Sequence, residues 1–292
     1  MKRILTASVA CFVFGSALAQ AQNAADDPGV KGVGKMSAAR KLVSAEQVEA
    51  QARQQYAQLL QETAAKNALA PPDHPQLLRL RAIAKKLIPF STRWNDRAPQ
   101  WQWEVNLIGS DQVNAFCMPG GKIAFYTGIL DKLKLTDDEV ALVMGHEIAH
   151  ALREHGRERV GKAAATQMGL GALSALLGLG DVGRTVASAG ASLLSLKFGR
   201  EDETEGDLVG LDLAARAGYD PRAGVILWQK MGAANKGAPP QWMSTHPSGP
   251  NRIAEIQKHL GEVMPIYAKT KGTTVAKLKP YQSNWPELAA VK

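Results

Sequence analysis

Cysteine is scarce in this chain, with only Cys11 and Cys117 among 292 residues. Cys11 lies in an apolar N-terminal stretch that we expect to be removed, which leaves Cys117 without an intramolecular partner. A disulfide framework is therefore excluded as a source of stability. The chain must rely on its hydrophobic core or on a bound metal, and a hydrophobic content of 45% is ordinary for a globular protein.

The sequence also lacks an apolar run of the roughly 20 residues that a membrane-spanning helix needs. The N-terminal stretch from Ile4 to Leu18 is shorter, follows Lys2 and Arg3, and leads into the small-x-small pattern Ala17-Leu18-Ala19. These features predict a cleaved signal peptide at residues 1–19, and hence an exported, periplasmic protein. Lipoprotein processing at Cys11 is disfavoured because the apolar run continues past that residue.

A second apolar region, residues 163–197, is rich in Ala, Leu and Gly, and each of its halves is shorter than a membrane span. The composition favours a helical hairpin packed closely through small residues. A hairpin that touches a membrane or moves as a lid is the alternative that the sequence leaves open.

Interleaved aromatic and basic residues are absent, so nucleic-acid binding is not predicted. The formal net charge is +8, and part of the excess lies in a predicted basic C-terminal tail, residues 265–292. We expect this tail to be solvated, with peripheral contact to an anionic membrane surface left open. The sequence does not indicate an oligomeric state.

Helical patterns dominate the remainder of the chain. Capping boxes at Ser44 and Thr136 each open a helix, and apolar residues at helical spacing indicate another helix over residues 76–88. Three more helices are expected over residues 201–217, over 221–234 and after Pro250.

The β signal is confined to residues 103–108 and 122–127. These two predicted strands are joined by a loop that contains Asn114-Ala115-Phe116 and turns at Gly120-Gly121. The fold class is therefore α+β and mainly α, with packed helices and a small mixed or antiparallel sheet. We expect a signal peptide (1–19), a flexible lead-in and N-terminal helix (20–70), a main domain (71–264) and the tail (265–292).

The stretch HEIAH, residues 146–150, carries the candidate chemistry. His146 and His150 are four residues apart, so on a helix their Cβ atoms are about 5–6 Å apart on one face. Two imidazoles so placed can bind one zinc ion. Glu147 is rotated about 100° from His146, which suits a general base that takes a proton from the attacking water. A surface helix with unrelated histidines is the simpler alternative.

A catalytic zinc ion needs a third protein ligand. A third histidine of the metzincin type is excluded, because Arg153 and Gly156 occupy the positions where that motif needs glycine and histidine. His155, five residues after His150, is expected to face elsewhere and to be an exposed or structural histidine.

The acidic stretch GREDETEGD, residues 199–207, offers a better third ligand. Glu203 and Asp207 lie four residues apart, so Glu203 can bind the metal while Asp207 accepts the second N–H of a ligating imidazole. A solvated acidic face is the alternative for this stretch alone.

HEIAH, followed some fifty residues later by FGREDETEGD, resembles metallopeptidase family M48, which includes HtpX-like and CAAX prenyl endopeptidase-like enzymes. The resemblance extends from about Asn114 to about Arg252, through NAFCMPGGKIAFYTGIL and THPSGPNRI. It implies a gluzincin-like core that holds one zinc ion per chain. Because the chain lacks long apolar spans, it resembles the soluble periplasmic branch of the family, of the LoiP type, rather than the integral membrane members.

The resemblance also implies roles for individual residues. By analogy with the family, His146, His150 and Glu203 bind zinc and Glu147 is the base. Gly206 stands where the family usually has alanine, and Gly199 where serine is common.

Other parts of the resemblance concern substrate and oxyanion. Asn114, Phe116 and the strand 122–127 look like the edge strand along which such peptidases bind extended substrate. His246 matches a histidine near the metal, which either supports the oxyanion or occupies the fourth zinc position and keeps the enzyme latent; a plain loop histidine is the third reading. Arg252 is expected to pair with a carboxylate near the site or with the acidic helix.

Two functions follow as hypotheses. The first is an exported zinc endopeptidase that cleaves unfolded or misassembled envelope proteins. The second is a chaperone-like module that binds client proteins around a structural or plugged zinc site.

Overall fold

The computed structural model describes residues 28–176, 193–234, 241–247 and 251–292. The described chain is mainly helical with one small sheet, as the sequence predicts. The α-helices are α1 (Ala45–Ala65), α2 (Pro75–Leu87), α3 (Thr127–Leu133), α4 (Asp137–Leu152), α5 (His155–Leu176), α6 (Arg200–Arg216), α7 (Ala223–Ala234), α8 (Gln241–Thr245) and α9 (Arg252–Thr270). Short 3-10 turns occupy Ala38–Leu42, Ile88–Arg93, Ala98–Gln100, Leu193–Ser195 and Val275–Lys277.

The sheet contains three strands, β1 (Glu104–Ile108), β2 (Ala115–Met118) and β3 (Lys122–Tyr126), in the order β1-β3-β2. β3 pairs in parallel with β1 and antiparallel with β2. Two predictions are therefore corrected. Ala115 and Phe116, predicted to lie in a loop, belong to β2. The strand at residues 122–126, predicted as part of the substrate-binding edge, is the central strand, and β1 and β2 form the two edges of the sheet.

Helix starts follow the capping signals. The Ser44 hydroxyl accepts the N–H of Gln47 at the start of α1. At α4 both halves of the box form: the Thr136 hydroxyl accepts the Glu139 N–H, and the Glu139 carboxylate accepts the Thr136 N–H. This cap fixes where the helix that carries HEIAH begins, and hence which side chains face the core.

The core of the molecule is the contact between α4 and α6. Every residue of α4 from Glu139 to Leu152 is buried, and α6 lies directly against it. The two helices approach most closely where glycines meet: a Cβ on Gly210 would lie 2.9 Å from the backbone nitrogen of His146. Because neither helix has a side chain at this crossing, the HEIAH stretch and the acidic stretch come face to face.

The sheet is covered on both faces. α4 packs against β2 on one face, and on the other Val48, Ala52 and Tyr56 of α1 join the apolar residues of the sheet. The Tyr56 hydroxyl donates to the carbonyl of Ile123 in the central strand at 2.5 Å. The N-terminal helix is thus packed into the same body as the sheet.

The C-terminal residues fold back on the molecule. α9 continues to Thr270, so the predicted domain boundary at residue 264 falls inside a helix. Beyond it, the Asn284 side chain contacts the ammonium of Lys230 at 2.5 Å, and that ammonium is also paired with Glu139 at 2.7 Å. The buried Lys230–Glu139 pair therefore ties the tail to the start of α4.

Two predictions made from the sequence fall partly or wholly outside the described residues. The predicted signal peptide, residues 1–19, lies outside them. So does the middle of the apolar hairpin, since residues 163–176 belong to α5 and residues 177–192 are not described. Among the described residues, no helix combines the length and apolar character that crossing a membrane requires.

Candidate metal centre

Four side chains from three parts of the chain converge on one point. His146 and His150 come from α4, Glu203 from α6, and His246 from the segment that follows α8. One ligand atom from each lies within 4.8 Å of the others. All four residues are at most 3% exposed, so bulk solvent does not reach these groups.

The spacing of the ligand atoms suits a single tetrahedral ion. Ligands at about 2.0–2.1 Å from zinc lie about 3.3 Å from one another at the corners of a tetrahedron. The His146 and His150 Nε2 atoms are 3.0 Å apart, and each is 3.5 Å from an oxygen of Glu203. His246 Nδ1 lies 3.2 Å from His146 Nε2 and 3.1 Å from Glu203 Oε1, at the fourth corner.

The charges of the cluster also call for a cation. Glu147, Glu203 and Asp207 contribute three negative charges, and Arg252 contributes one positive charge. With neutral imidazoles these four side chains carry a formal charge of −2 in a place shielded from water, which is costly unless a counter-charge is present. A divalent ion supplies that counter-charge, so the donor set fits zinc.

Electrostatics hold the carboxylate ligand in its charged form. Burial alone would raise the pKa of Glu203, but hydrogen bonds from His146 and His246 outweigh it and lower the pKa far below the usual range. Burial lowers the pKa of His150 well below its ordinary value. Glu203 and His150 are thus deprotonated, as metal binding requires, whereas His146, whose pKa is raised, would release a proton when the metal binds.

The outer nitrogen of His146 is held by a charged pair. Its Nδ1 lies 3.0 Å from Asp207 Oδ1, and burial, which lowers the pKa of His146, is outweighed by Asp207 and Glu203, which raise it to about 9. Arg252 binds both oxygens of Asp207, at 2.6 and 2.7 Å, and donates to Glu203 Oε2 at 2.7 Å. Its guanidinium also stacks 3.6 Å from the ring centre of Trp228. Arg252 thus connects two carboxylates of α6 to one point.

Glu147 faces a tryptophan that the sequence analysis does not single out. Trp242 Nε1 donates to Glu147 Oε1 at 2.5 Å, and the Trp242 ring stacks on His246 at 5.0 Å. The sequence does hold a signal for this pair, because Trp242 and His246 are four residues apart. The backbone N–H of His246 donates to the carbonyl of Trp242 at 2.8 Å, so the turn that ends α8 directs both side chains toward the cluster.

Two further residues close the cluster on the His150 side. Phe198 stacks on the His150 ring at 3.9 Å between centres. His155 was expected to face away from His150, but it is buried at 3% and its Nδ1 lies 2.8 Å from His150 Nδ1; of the two predicted roles, exposed or structural, the exposed one is wrong. The expectation assumed that α4 continues, whereas the helix ends at Leu152 and Glu154 has a positive φ of 58°. The resulting turn brings His155 back beneath His150.

The residues expected to contact substrate lie on the edge of the sheet. Phe116 is part of β2, and its ring packs against Tyr56 and Tyr126, on the face that α1 covers. Asn114 immediately precedes β2, and its side chain accepts the N–H of Ala115 at 3.0 Å. A substrate contact at either residue would therefore involve the strand edge rather than the Phe116 ring, and it remains a prediction.

Comparison with known proteins identifies the family. Residues 75–260 match Peptidase family M48. The mitochondrial metalloendopeptidase OMA1 of Schizosaccharomyces pombe is 33% identical over 227 residues, which cover 77% of this chain and 62% of that protein. OMA1 of Arabidopsis thaliana is 40% identical over 150 residues, which cover 51% of this chain and 30% of that protein.

A bacterial relative is more distant. The beta-barrel assembly-enhancing protease of Escherichia coli is 25% identical over 178 residues, which cover 56% of this chain and 36% of that protein. The chain spans less than two thirds of the length of each of these three relatives. The family match itself covers more than half of the chain and includes both histidines of HEIAH and the acidic stretch, so the chain belongs to peptidase family M48, whose members are zinc-dependent metallopeptidases.

Proposed function

We propose that this chain is an exported zinc endopeptidase that hydrolyses unfolded or misassembled envelope proteins. The observation that carries the peptidase assignment is the convergence of His146, His150 and Glu203 beside a buried glutamate, Glu147. A purely structural zinc site could be completed by His246 as its fourth ligand, but it has no use for Glu147. The geometry therefore supports an enzyme over a client-binding module.

Each residue of the cluster has a distinct role in this proposal. His146, His150 and Glu203 hold the metal, which when bound polarises the scissile carbonyl and acidifies the attacking water. Glu147 takes a proton from that water and later passes it to the leaving amine. The N–H of Trp242 orients the Glu147 carboxylate for both transfers.

The proposed substrate class follows from the sheet. Among the described residues, no backbone hydrogen bond joins Ala115–Cys117 to an element other than β3. An extended peptide can therefore add to this edge. Such a peptide is recognised through main-chain hydrogen bonds rather than through its side chains. Such pairing selects exposed, unfolded segments, and Asn114 and Phe116 lie where the added strand would run.

The proposals of export and of envelope substrates are supported by the N-terminal sequence and by a bacterial relative, not by the geometry of the site. The N-terminal pattern at residues 1–19 is typical of a secretory signal. Two of the relatives compared above are named mitochondrial and one is named for β-barrel assembly. We take the signal pattern together with the bacterial relative as support for a periplasmic location.

Replacing the proposed base tests the mechanism. The variant Glu147→Gln keeps the shape of the side chain but cannot take a proton, so casein hydrolysis should fall about 10²–10⁴-fold. Zinc content, measured by metal analysis, should remain one ion per chain, because Glu147 is not a ligand in this proposal. Glu255→Gln, on the exposed surface of α9, is the matched control and should hydrolyse casein as the wild type does.

Unchanged casein hydrolysis by Glu147→Gln would refute the mechanism. The same variant also addresses the client-binding alternative. If Glu147→Gln suppresses the aggregation of unfolded proteins as fully as the wild type protects them, binding rather than cleavage is the main activity.

A further inference from the structure

His155 lies beneath the second histidine of HEIAH, held there by the break between α4 and α5. It is 3% exposed, and its Nδ1 is 2.8 Å from His150 Nδ1. Its other nitrogen, Nε2, is 3.3 Å from Glu205 Oε2. Both ring nitrogens of this buried imidazole therefore have partners, and one of the partners is a proposed metal ligand.

The roles of the atoms in this chain of bonds are determined by the metal. His150 presents Nε2 to the cluster, 3.0 Å from His146 Nε2 and 3.5 Å from Glu203 Oε1. A nitrogen that binds zinc must offer a lone pair, so the proton of His150 is on Nδ1. His155 Nδ1 must then accept that proton's hydrogen bond, which places the His155 proton on Nε2. Only then can Nε2 donate to the Glu205 carboxylate.

Glu205 is itself fixed in place. Arg153 Nε donates to Glu205 Oε2 at 2.7 Å, and Arg153 Nη2 donates to the carbonyl of Gly34 at 2.5 Å. The bonds therefore run in one direction, from His150 through His155 to a carboxylate that is anchored by an arginine. This series of hydrogen bonds ends at the backbone carbonyl of Gly34, in the N-terminal segment.

We propose that His155 is a positioning residue of the metal centre, which sets the tautomer and ring orientation of His150, with Glu205 setting those of His155. The proposal rests on the zinc site proposed above. The two histidine ligands are then supported differently. His146 donates directly to the carboxylate of Asp207, whereas His150 reaches a carboxylate through an intervening imidazole. A ligand held this way depends on the acceptor nitrogen of His155.

We test this role by measuring the zinc affinity of the purified protein in competition with a chromophoric chelator. His155→Leu removes the acceptor and should weaken zinc binding about 10–100-fold, the usual cost of losing a partner of a metal ligand. His155→Asn places an amide oxygen near the position of Nδ1 and should restore affinity to within a few-fold of the wild type. This rescue distinguishes positioning from simple packing.

The control is another buried histidine paired with a glutamate. His259 in α9 is 8% exposed and its Nδ1 lies 3.0 Å from Glu262 Oε2, outside the metal cluster. His259→Leu should leave zinc affinity unchanged. A second readout is the visible spectrum of the Co²⁺-substituted protein, which should change in His155→Leu and be restored in His155→Asn. If His155→Leu does not fold, Glu205→Ala makes the test, with an expected several-fold loss of zinc affinity.

The outcomes separate this inference from the proposed function. If the wild type binds no zinc, the metal site itself is wrong and His155 has no ligand to position. If the wild type binds one zinc ion and His155→Leu or Glu205→Ala binds it equally well with the same Co²⁺ spectrum, the positioning role alone is overturned.

Discussion

His246 occupies the corner of the cluster that an open catalytic site would leave for water or substrate. Its Nδ1 is within 3.2 Å of both His146 Nε2 and Glu203 Oε1. This geometry favours the plugged alternative over oxyanion support, because a ring at this corner takes the place of the reactants. We infer that this arrangement is a closed form of the site.

Removing the His246 imidazole should open the site. We expect His246→Ala to change casein hydrolysis at least several-fold, and the closed arrangement predicts an increase. A decrease would instead assign His246 to the oxyanion. Initial rates at matched zinc content measure the effect, with His259→Ala as the control; wild-type rates for His246→Ala would remove this residue from the site altogether.

Single residues of the site differ in how far the sequence could predict them. His146, His150 and Glu203 could be found because each pair of neighbours on one helix face has a fixed four-residue spacing. Their convergence could only be inferred from the resemblance to a family. His155 could not be placed, because its position depends on a left-handed residue, Glu154, that interrupts the helical spacing.

The crossing of α4 and α6 brings the two halves of the site together. A Cβ on Gly210 would lie 2.9 Å from the backbone nitrogen of His146 and 3.2 Å from the carbonyl carbon of Gly145. These are backbone atoms that cannot rotate away, so a methyl group here must push the helices apart. Overpacking of this kind typically costs about 1–3 kcal/mol.

We therefore expect Gly210→Ala to lower the free energy of unfolding and to weaken zinc binding, since Glu203 and Asp207 move away together with α6. Urea denaturation and chelator competition measure the two effects. Gly261→Ala is the matched control, because a Cβ at this position in α9 meets nothing within 4 Å. It should raise stability by about 0.5–1 kcal/mol. Equal stability of the two variants would show that the helix contact does not require glycine.

The strands and their pairing could be predicted from the sequence less completely than the helices could. Residues 104–108 and 122–126 could be recognised from local composition, but β2 has only four residues and its burial does not follow a simple alternation. Because β1 and β3 are parallel, the chain between them must return to the end of the sheet where β1 begins, and β2 is part of this connection. No local signal specifies that pairing, so the sequence pattern could not show that residues 122–126 form the central strand while Ala115 and Phe116 lie in an edge strand.

The whole molecule includes more than the segment that matches the family. The match begins at residue 75, yet α1 ends at Ala65 and buries one face of the sheet through Tyr56. At the other end, Asn284 reaches the buried pair of Lys230 and Glu139. The helical pattern of α1 was visible in the sequence, whereas the surface it covers depends on contacts more than 60 residues apart.

The metal centre connects these parts, because its ligands come from α4, α6 and the segment after α8. A metal that binds only the folded chain stabilises it by mass action, by about 4 kcal/mol when free zinc is a thousand times the dissociation constant. For a chain of this size, that corresponds to a shift of about 7 °C in Tm. We expect a strong chelator to lower Tm by about this amount and to abolish casein hydrolysis, and added zinc to restore both.

Two variants make the chelator experiment specific. Glu147→Gln should lose activity but show the full change in Tm, because it keeps all three proposed ligands. His146→Ala should melt at nearly the same temperature with and without chelator, since its remaining ligands bind zinc weakly. If instead the wild type melts at one temperature under both conditions, the cluster does not hold a metal in the folded chain, and its formal charge of −2 must be neutralised by protons on the imidazoles.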